Sequence, residues 1–294
     1  GCSAGAARAQ EPAEIVLDRY ETHQTIVGFG GTMGWIHPPE EKQEEIYDLL
    51  FKDLGATVLR IRALGSEEDE ELSLEWENDN EDPYTFNWAL LPVKATERRN
   101  AAIIQAARKR GVCTVVPVAW SPPGWMKDNK QRTGMWGKLR GDMLDEYAEL
   151  WAAYVVGMKR EFRLEFQTIS IQNEPDVTAE HHPGCMILPD LYAKAMAAVD
   201  RRLEREGFDV RLLGPDVCNI YNLGRYAGAM EEAGVSPGTP LLTHLYDEAI
   251  VYGAVHRDPE RWAKAREIAE DYGRALWFME TSNWKDEGVE HGSY

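Results

Sequence analysis

The sequence has no apolar run near the roughly 18–20 residues that a membrane-spanning helix requires. No transmembrane segment is therefore expected anywhere in its 294 residues. Cysteine is scarce, at four residues: Cys2, Cys113, Cys185 and Cys218. Their spacing matches no zinc motif and no dense disulfide framework. Cys113 opens an apolar run and reads as a small core residue. Basic residues are outnumbered, 32 against 50 acidic, which gives a net charge of −18. Such a surface repels phosphate backbones and anionic lipids, so nucleic acid is excluded as the expected partner and a neutral substrate is favoured. No HExxH occurs, and His181-His182 is an adjacent pair whose side chains diverge, so no metal site is expected. The glycines of Gly28-Phe29-Gly30-Gly31-Thr32 lack the GxGxxG spacing of a dinucleotide site, and no cofactor is expected either.

What is present is an ordinary globular composition, 44% hydrophobic and 28% charged, with a surplus of aromatics that includes ten Trp and twelve Tyr. Those rings serve core packing or stack on the faces of sugar rings. The first residues, Gly1-Cys2-Ser3-Ala4-Gly5 and the Ala/Arg/Gln/Glu/Pro stretch behind them, read as a flexible tail over 1–13. The tail resembles the mature end of a bacterial lipoprotein, with Cys2 as the lipid anchor; a chance cysteine is the alternative. The first reading implies an extracytoplasmic protein, secreted or held in the cell envelope.

From there a strand-then-helix rhythm dominates. Short apolar or β-branched runs occupy 25–30, 57–63, 113–120, 166–174, 210–215, 241–247 and 275–282. Between them, residues 40–54, 94–110, 142–162, 189–206, 223–233 and 259–272 carry apolar residues at helical spacing. Gly55, Gly111, Gly207 and Gly273 each separate a helix from the next strand. Alternation of this kind builds a parallel sheet with helices outside it. Seven strands in unbroken order favour a (β/α)₈ TIM barrel, over 26–294, above a doubly wound sheet. The count stops at seven, so the barrel is expected to be truncated after that strand. Residues 14–25 alternate like one or two strands and are expected to be the remnant of an N-terminal side β-sheet.

In such a barrel the chemistry sits at the C-terminal ends of the strands. The polar residues there are Arg60 or Arg62 after strand two, Trp120 with Ser121 after strand three, Asn173 and Glu174 after strand four, His244 and Tyr246 after strand six, and Glu280 after strand seven. Two carboxylates facing one mouth with aromatics around them suit glycoside hydrolysis. One protonates the leaving oxygen and the other attacks the anomeric carbon.

These residues carry a family resemblance. Ile169-Ser170-Ile171-Gln172-Asn173-Glu174-Pro175 resembles the acid/base motif of the clan of retaining (β/α)₈ glycosidases. Gly28-Phe29-Gly30-Gly31, the Trp120-to-Lys127 stretch (WSPPGWMK), His244-Leu245-Tyr246-Asp247 and Leu276-to-Ser282 (LWFMETS) narrow it. Together they are similar to glycoside hydrolase family 30, a group of glucosylceramidases, β-1,6-glucanases, β-xylosidases and xylanases. The resemblance implies a retaining O-glycosyl hydrolase acting on a β-linked carbohydrate, with Glu174 as acid/base and Glu280 as nucleophile. It further implies that Asn173 bonds the sugar 2-hydroxyl, that Tyr246 and Arg60 hold the nucleophile, and that Trp120 walls the sugar site with His244 close by. Two departures stand out. Met279 precedes the nucleophile where the family has Ser or Thr, and Glu67 stands nearest to a sugar-binding Asp. The acidic segment 67–82 reads as a solvated loop or as a lid, and Trp125 as loop packing or as a sugar platform. A clan-related endoglucanase or xylanase is the alternative enzyme. A non-catalytic sugar-binding barrel is the alternative of another class, against which the intact pair of glutamates speaks.

Overall fold

The structure is a computed structural model that describes residues 18–33, 38–65, 74–91, 94–178, 180–244 and 259–280. Cys2, Glu67 and Tyr246 lie outside the described residues. The seven strands expected from the sequence are all present: β1 Gly30–Thr32, β2 Val58–Leu64, β3 Thr114–Ala119, β4 Thr168–Ser170, β5 Arg211–Leu213, β6 Leu241–His244 and β7 Leu276–Glu280. So are the six helices: α1 Gln43–Asp48, α2 Ala95–Arg108, α3 Leu144–Phe162, α4 Pro189–Arg205, α5 Ile220–Glu232 and α6 Pro259–Asp271. Strands β1 to β5 form one parallel sheet in sequence order, and β6 pairs with β7. An isolated parallel bridge, Val217 to Thr243, joins the two sheets. A strand–helix–strand succession of this order curls into a barrel with helices outside. No helix among the described residues is long and apolar enough to cross a membrane.

Period-2 alternation explains how the strands divide the core. Leu59, Ile61, Val115, Ile169, Leu212 and Leu241 join the large cluster beneath the helices. Val116, Val118, Trp120, Leu213 and Leu242 form a second, smaller cluster, backed by Val58, Trp277 and Met279. We read this second group as the apolar plug of the barrel interior, on which the polar mouth rests. The helices meet the strands through rows at three- and four-residue spacing, such as Tyr147, Trp151, Tyr154 and Met158 on α3 and Tyr192, Met196, Val199 and Leu203 on α4, all buried. Each large apolar side chain so buried contributes about 1.5–3 kcal/mol.

Several expectations are corrected. Strand one lies at Gly30–Thr32 instead of 25–30, and Ile26, Val27 and Phe29 are exposed. Gly30 sets the register: a Cβ there would meet the carbonyl oxygen of Val58 at 1.7 Å, so only glycine lets β1 lie this close to β2. Residues 18–25, the described part of the expected side strands, are exposed and hold a turn but no strand, since no described strand lies beside them to complete a ladder. Residues 40–53 are helical as expected, but the segment passes from a 3₁₀ turn through α1 into a π-helical turn at Leu49–Asp53. Cys113 is exposed, because it lies ahead of β3 at the open N-terminal end of the strand; Cys185 is the buried thiol.

Candidate active site

The residues at the strand ends converge. Arg60, on β2, is buried and donates from Nη1 to Glu280 Oε2 at 2.6 Å. Its Nη2 donates to Asn173 Oδ1 at 2.5 Å and to Asp216 Oδ2 at 3.1 Å. Trp120 lies under two guanidinium groups, with Arg60 at 4.8 Å and Arg62 at 5.1 Å from its ring centroid. Of the two arginines considered at this position, Arg60 is the one on Glu280. The backbone carbonyl of Arg62 instead accepts from Asn100 at 2.6 Å.

His244, fully buried at the end of β6, bridges the other carboxylates. Its Nδ1 lies 2.9 Å from Glu174 Oε1 and its Nε2 3.0 Å from Asp216 Oδ1. An acidic oxygen against each ring nitrogen favours a hydrogen on both and hence a cationic imidazole. Burial pulls its pKa down, but Asp216, then Glu280, and the hydrogen bonds to Asp216 and Glu174 raise it to about 10. Burial likewise pushes the Asp216 carboxyl up, yet Arg60 and His244 outweigh it and hold that group at about 2. Asp216 is thus a fixed anion beneath two fixed cations. Ser170 Oγ lies 3.2 Å from its Oδ2 and donates to it.

Local backbone geometry aims Glu174. The Asn173 amide donates to the Ala119 carbonyl on β3 at 2.7 Å, and the Glu174 amide to the Asp216 carbonyl at 3.0 Å. The strand therefore leaves its ladder here, and Glu174 turns into left-handed backbone at φ 46°, as does Asp216 at φ 57°. Left-handed residues other than glycine cluster where a side chain must be aimed. From behind, Tyr147 and Trp151 of α3 both donate to the Ile171 carbonyl, the latter at 3.2 Å. Asp176 accepts from the Cys218 and Asn219 amides and from Asn222, fastening the same loop to the start of α5.

Glu174, His244 and Glu280 bring carboxylate oxygens and a ring nitrogen within 4.8 Å of one another. That spacing could hold a metal ion, but both ring nitrogens of His244 are already engaged, by Glu174 and by Asp216. The trio is better suited to proton and glycosyl transfer. Glu174 and Glu280 are each about a quarter exposed, so a substrate can reach both. Trp125 donates from Nε1 to the Glu75 carbonyl at 3.1 Å, which ties it to the loop after β2. Within the acidic segment, Glu75 and Asp79 are buried, so the described part of it is not simply a solvated loop. Sequence reasoning passed over Asp216. The signal was present in Leu213-Gly214-Pro215-Asp216, an acidic residue directly after strand five, where the same strand-end rule applies.

Gly65 follows β2 with φ 62°, and a Cβ on it would sit 1.7 Å from the Ser121 carbonyl oxygen at the foot of the mouth. Gly65→Ala should cost more than about 2 kcal/mol, read as a lower midpoint in urea unfolding. An unchanged midpoint would show that β2 and β3 can part there freely.

The fold and its mouth define a TIM barrel of the glycoside-hydrolase kind. The chain belongs to glycosyl hydrolase family 30, whose TIM-barrel domain profile matches residues 28–188. A Caenorhabditis elegans protein whose name calls it a glucosylceramidase is 24% identical over 185 residues, which is 56% of this chain and 33% of that protein. Two solved structures share the fold. One is the family 30 subfamily 8 xylanase Xyn30A from Clostridium acetobutylicum, with TM-score 0.59 and 21% identity, covering 88% of this chain and 56% of that one. The other is an endo-β-1,6-glucanase, with TM-score 0.67 and 18% identity, covering 90% of this chain and 60% of that one. The chain thus spans a third of the curated relative's length and under two thirds of either structure.

Proposed function

We propose that the protein is a retaining β-glycoside hydrolase for a neutral β-linked glycan or glycoside, of the glucosylceramidase or β-1,6-glucanase type. The observation that carries this reading is the approach of Glu174 and Glu280, whose nearest carboxylate oxygens lie within 4.8 Å. Double displacement needs carboxyls about 5–5.5 Å apart, whereas an inverting enzyme leaves about 6.5–9.5 Å for a water molecule. Their surroundings support a division of labour. Arg60 places a permanent positive charge on Oε2 of Glu280, which keeps it anionic and ready to attack the anomeric carbon. His244 fixes Oε1 of Glu174 and leaves the other oxygen to pass its proton to the glycosidic oxygen, and later to take one from water. Asn173, held by Arg60, points its amide at the sugar 2-hydroxyl, and Trp120, buried beneath Arg60 and Arg62, backs the sugar site. Four acidic groups, at Glu174, Asp176, Asp216 and Glu280, line or underlie the mouth. They favour a neutral sugar over an acidic one.

The test is a panel of chromogenic β-glycosides on the full-length protein, with the anomer of the first product read by NMR. First-formed α-anomer from a β-glycoside would overturn retention. The proton role of Glu174 has its own expected result. Glu174→Ala should slow hydrolysis of glycosides with poor leaving groups by about 10²–10⁴-fold. Activated aryl glycosides, which leave with little protonation, should suffer far less in glycosylation. Equal losses on both substrate types would make Glu174 structural.

A further inference from the structure

Away from the mouth, three acidic side chains meet in the interior. Glu75 and Asp79 come from the loop after β2, and Glu149 from α3. Their relative exposures are 0%, 4% and 0%, and each offers a carboxylate oxygen within 4.8 Å of the other two. Glu75 adopts left-handed backbone at φ 56°, which turns its side chain inward. Both oxygens of Glu75, both of Glu149 and Oδ1 of Asp79 are buried without a hydrogen-bond partner, as is Oε2 of the neighbouring Glu146. Asp79 Oδ2 alone is satisfied, by the Asn87 amide at 2.6 Å.

Among the described residues, Arg202 is the cation that faces this group. Arg202 Nη2 stands 3.8 Å from Glu149 Oε1, beyond hydrogen-bond reach. The rest of its guanidinium serves Glu206 and the Pro83 carbonyl and lies over the Phe86 ring. Among the described residues, carboxyl groups here outnumber the guanidinium by four to one. Buried carboxylates short of hydrogen-bond partners and of counter-charge are costly, and the protein must meet them with protons or with another cation. Burial, then the neighbouring carboxylates Glu149, Asp79 and Glu146, push Glu75 well above the carboxylate range. Burial and Asp79 push Glu149 up to about 8. One carboxylate oxygen from each of Glu75, Asp79 and Glu149 comes within 4.8 Å of the other two, which is the geometry of a ligand set.

The donors are all oxygens, as hard cations prefer. Magnesium holds on to its waters and is seldom caged by protein oxygens alone, whereas calcium takes several carboxylates in flexible geometry. A buried set of three carboxylates with oxygens within 4.8 Å of one another suits the second ion. We propose that Glu75, Asp79 and Glu149 form a calcium site that clamps the loop after β2 onto α3, with Glu146 beside it. The clamp reaches the mouth through Trp125, whose Nε1 donates to the Glu75 carbonyl and which sits on the β3 loop that begins at Trp120.

The experiment uses full-length protein stripped with a chelator, then titrated with calcium chloride and followed by calorimetry and thermal melting. One saturable site is expected. At a calcium concentration a hundredfold above Kd, Tm should rise by about 5–10 °C, with a smaller rise for magnesium. Glu75→Gln and Glu149→Gln should each weaken binding at least about tenfold, while Glu77→Gln, at an exposed position of the same loop, should leave it unchanged. If either glutamine variant fails to fold, the wild type decides through terbium. Terbium should emit by energy transfer from Trp125, and calcium should quench that emission in step with the calorimetric titration. Trp125→Phe should dim the emission at unchanged calcium affinity. The proposal is overturned if calcium up to about 10 mM, roughly ten times the weakest Kd of protein sites, changes neither Tm nor terbium emission. It is equally overturned if both glutamine variants bind calcium like the wild type, since the ion would then sit elsewhere on the acidic surface.

Discussion

Replacing Glu280 by alanine lowers turnover of a β-glycoside by at least about 10⁴-fold, and added azide restores part of it as an α-glycosyl azide. The expectation follows from what the side chain does and from the space it leaves. Glu280 ends β7, with its carboxylate on the Arg60 guanidinium at 2.6 Å and open to the mouth on its other side. Removing it takes away the attacking atom and leaves a hole on one face of the sugar, lined by a cation that welcomes a small anion. Azide entering there attacks the face that Glu280 used, so a β-glycoside gives the inverted, α-configured product. The same treatment of Glu174→Ala opens space on the opposite side, where azide can only meet the glycosyl-enzyme, and the product is the β-azide. Chromatography or NMR of the two azides reads the assignment directly. A β-azide from the Glu280 variant would exchange the roles of the two glutamates.

Much of this site was legible in the sequence because periodicity places strand ends, and strand ends place chemistry. Asn173-Glu174 and Glu280 were found that way, and Arg60 was singled out with Arg62 before the structure separated them. What the sequence could not show is the side-chain network. Asp216 stands in a short run ending in Gly-Pro, and nothing local says that its carboxylate lies between Arg60 and His244, 156 residues before it on one side and 28 after it on the other. The inward turn of Glu75 and Asp79 was hidden for a similar reason. A run of acidic residues normally faces water, and burial of two of them depends on a long-range partner, Glu149, on another element. Strand one was displaced because an exposed apolar run, Ile26 to Phe29, imitates a strand that has burial. Local pattern reports the elements well; it reports poorly which charges the fold brings together.

The second large effect belongs to Asp216, which touches both arms of the site without facing the substrate. Asp216→Asn keeps the shape and removes the charge. Arg60 and His244 are then two buried cations with their shared anion gone, and loss of one partner from a buried ion pair costs about 3–5 kcal/mol. The pH dependence gives the loss a signature. Asp216 titrates at about 2 when folded, below its ordinary 3.8, so its contribution to stability is present above that ordinary value and is lost as pH falls through about 2. His244 is raised from 6.5 to about 10, so its contribution is complete below 6.5 and is lost as pH rises through about 10. The difference in unfolding free energy between wild type and variant should therefore be largest between about pH 4 and 6.5, and should shrink on both sides. Activity should fall as well, by about 10²-fold or more, because Arg60 and His244 orient the two glutamates and a small misplacement of either is costly. Urea unfolding from pH 2 to 10 makes the measurement. A difference that stays flat across that range would mean that Asp216 matters for its hydrogen bonds and shape alone, and that the charges of Arg60 and His244 are balanced elsewhere.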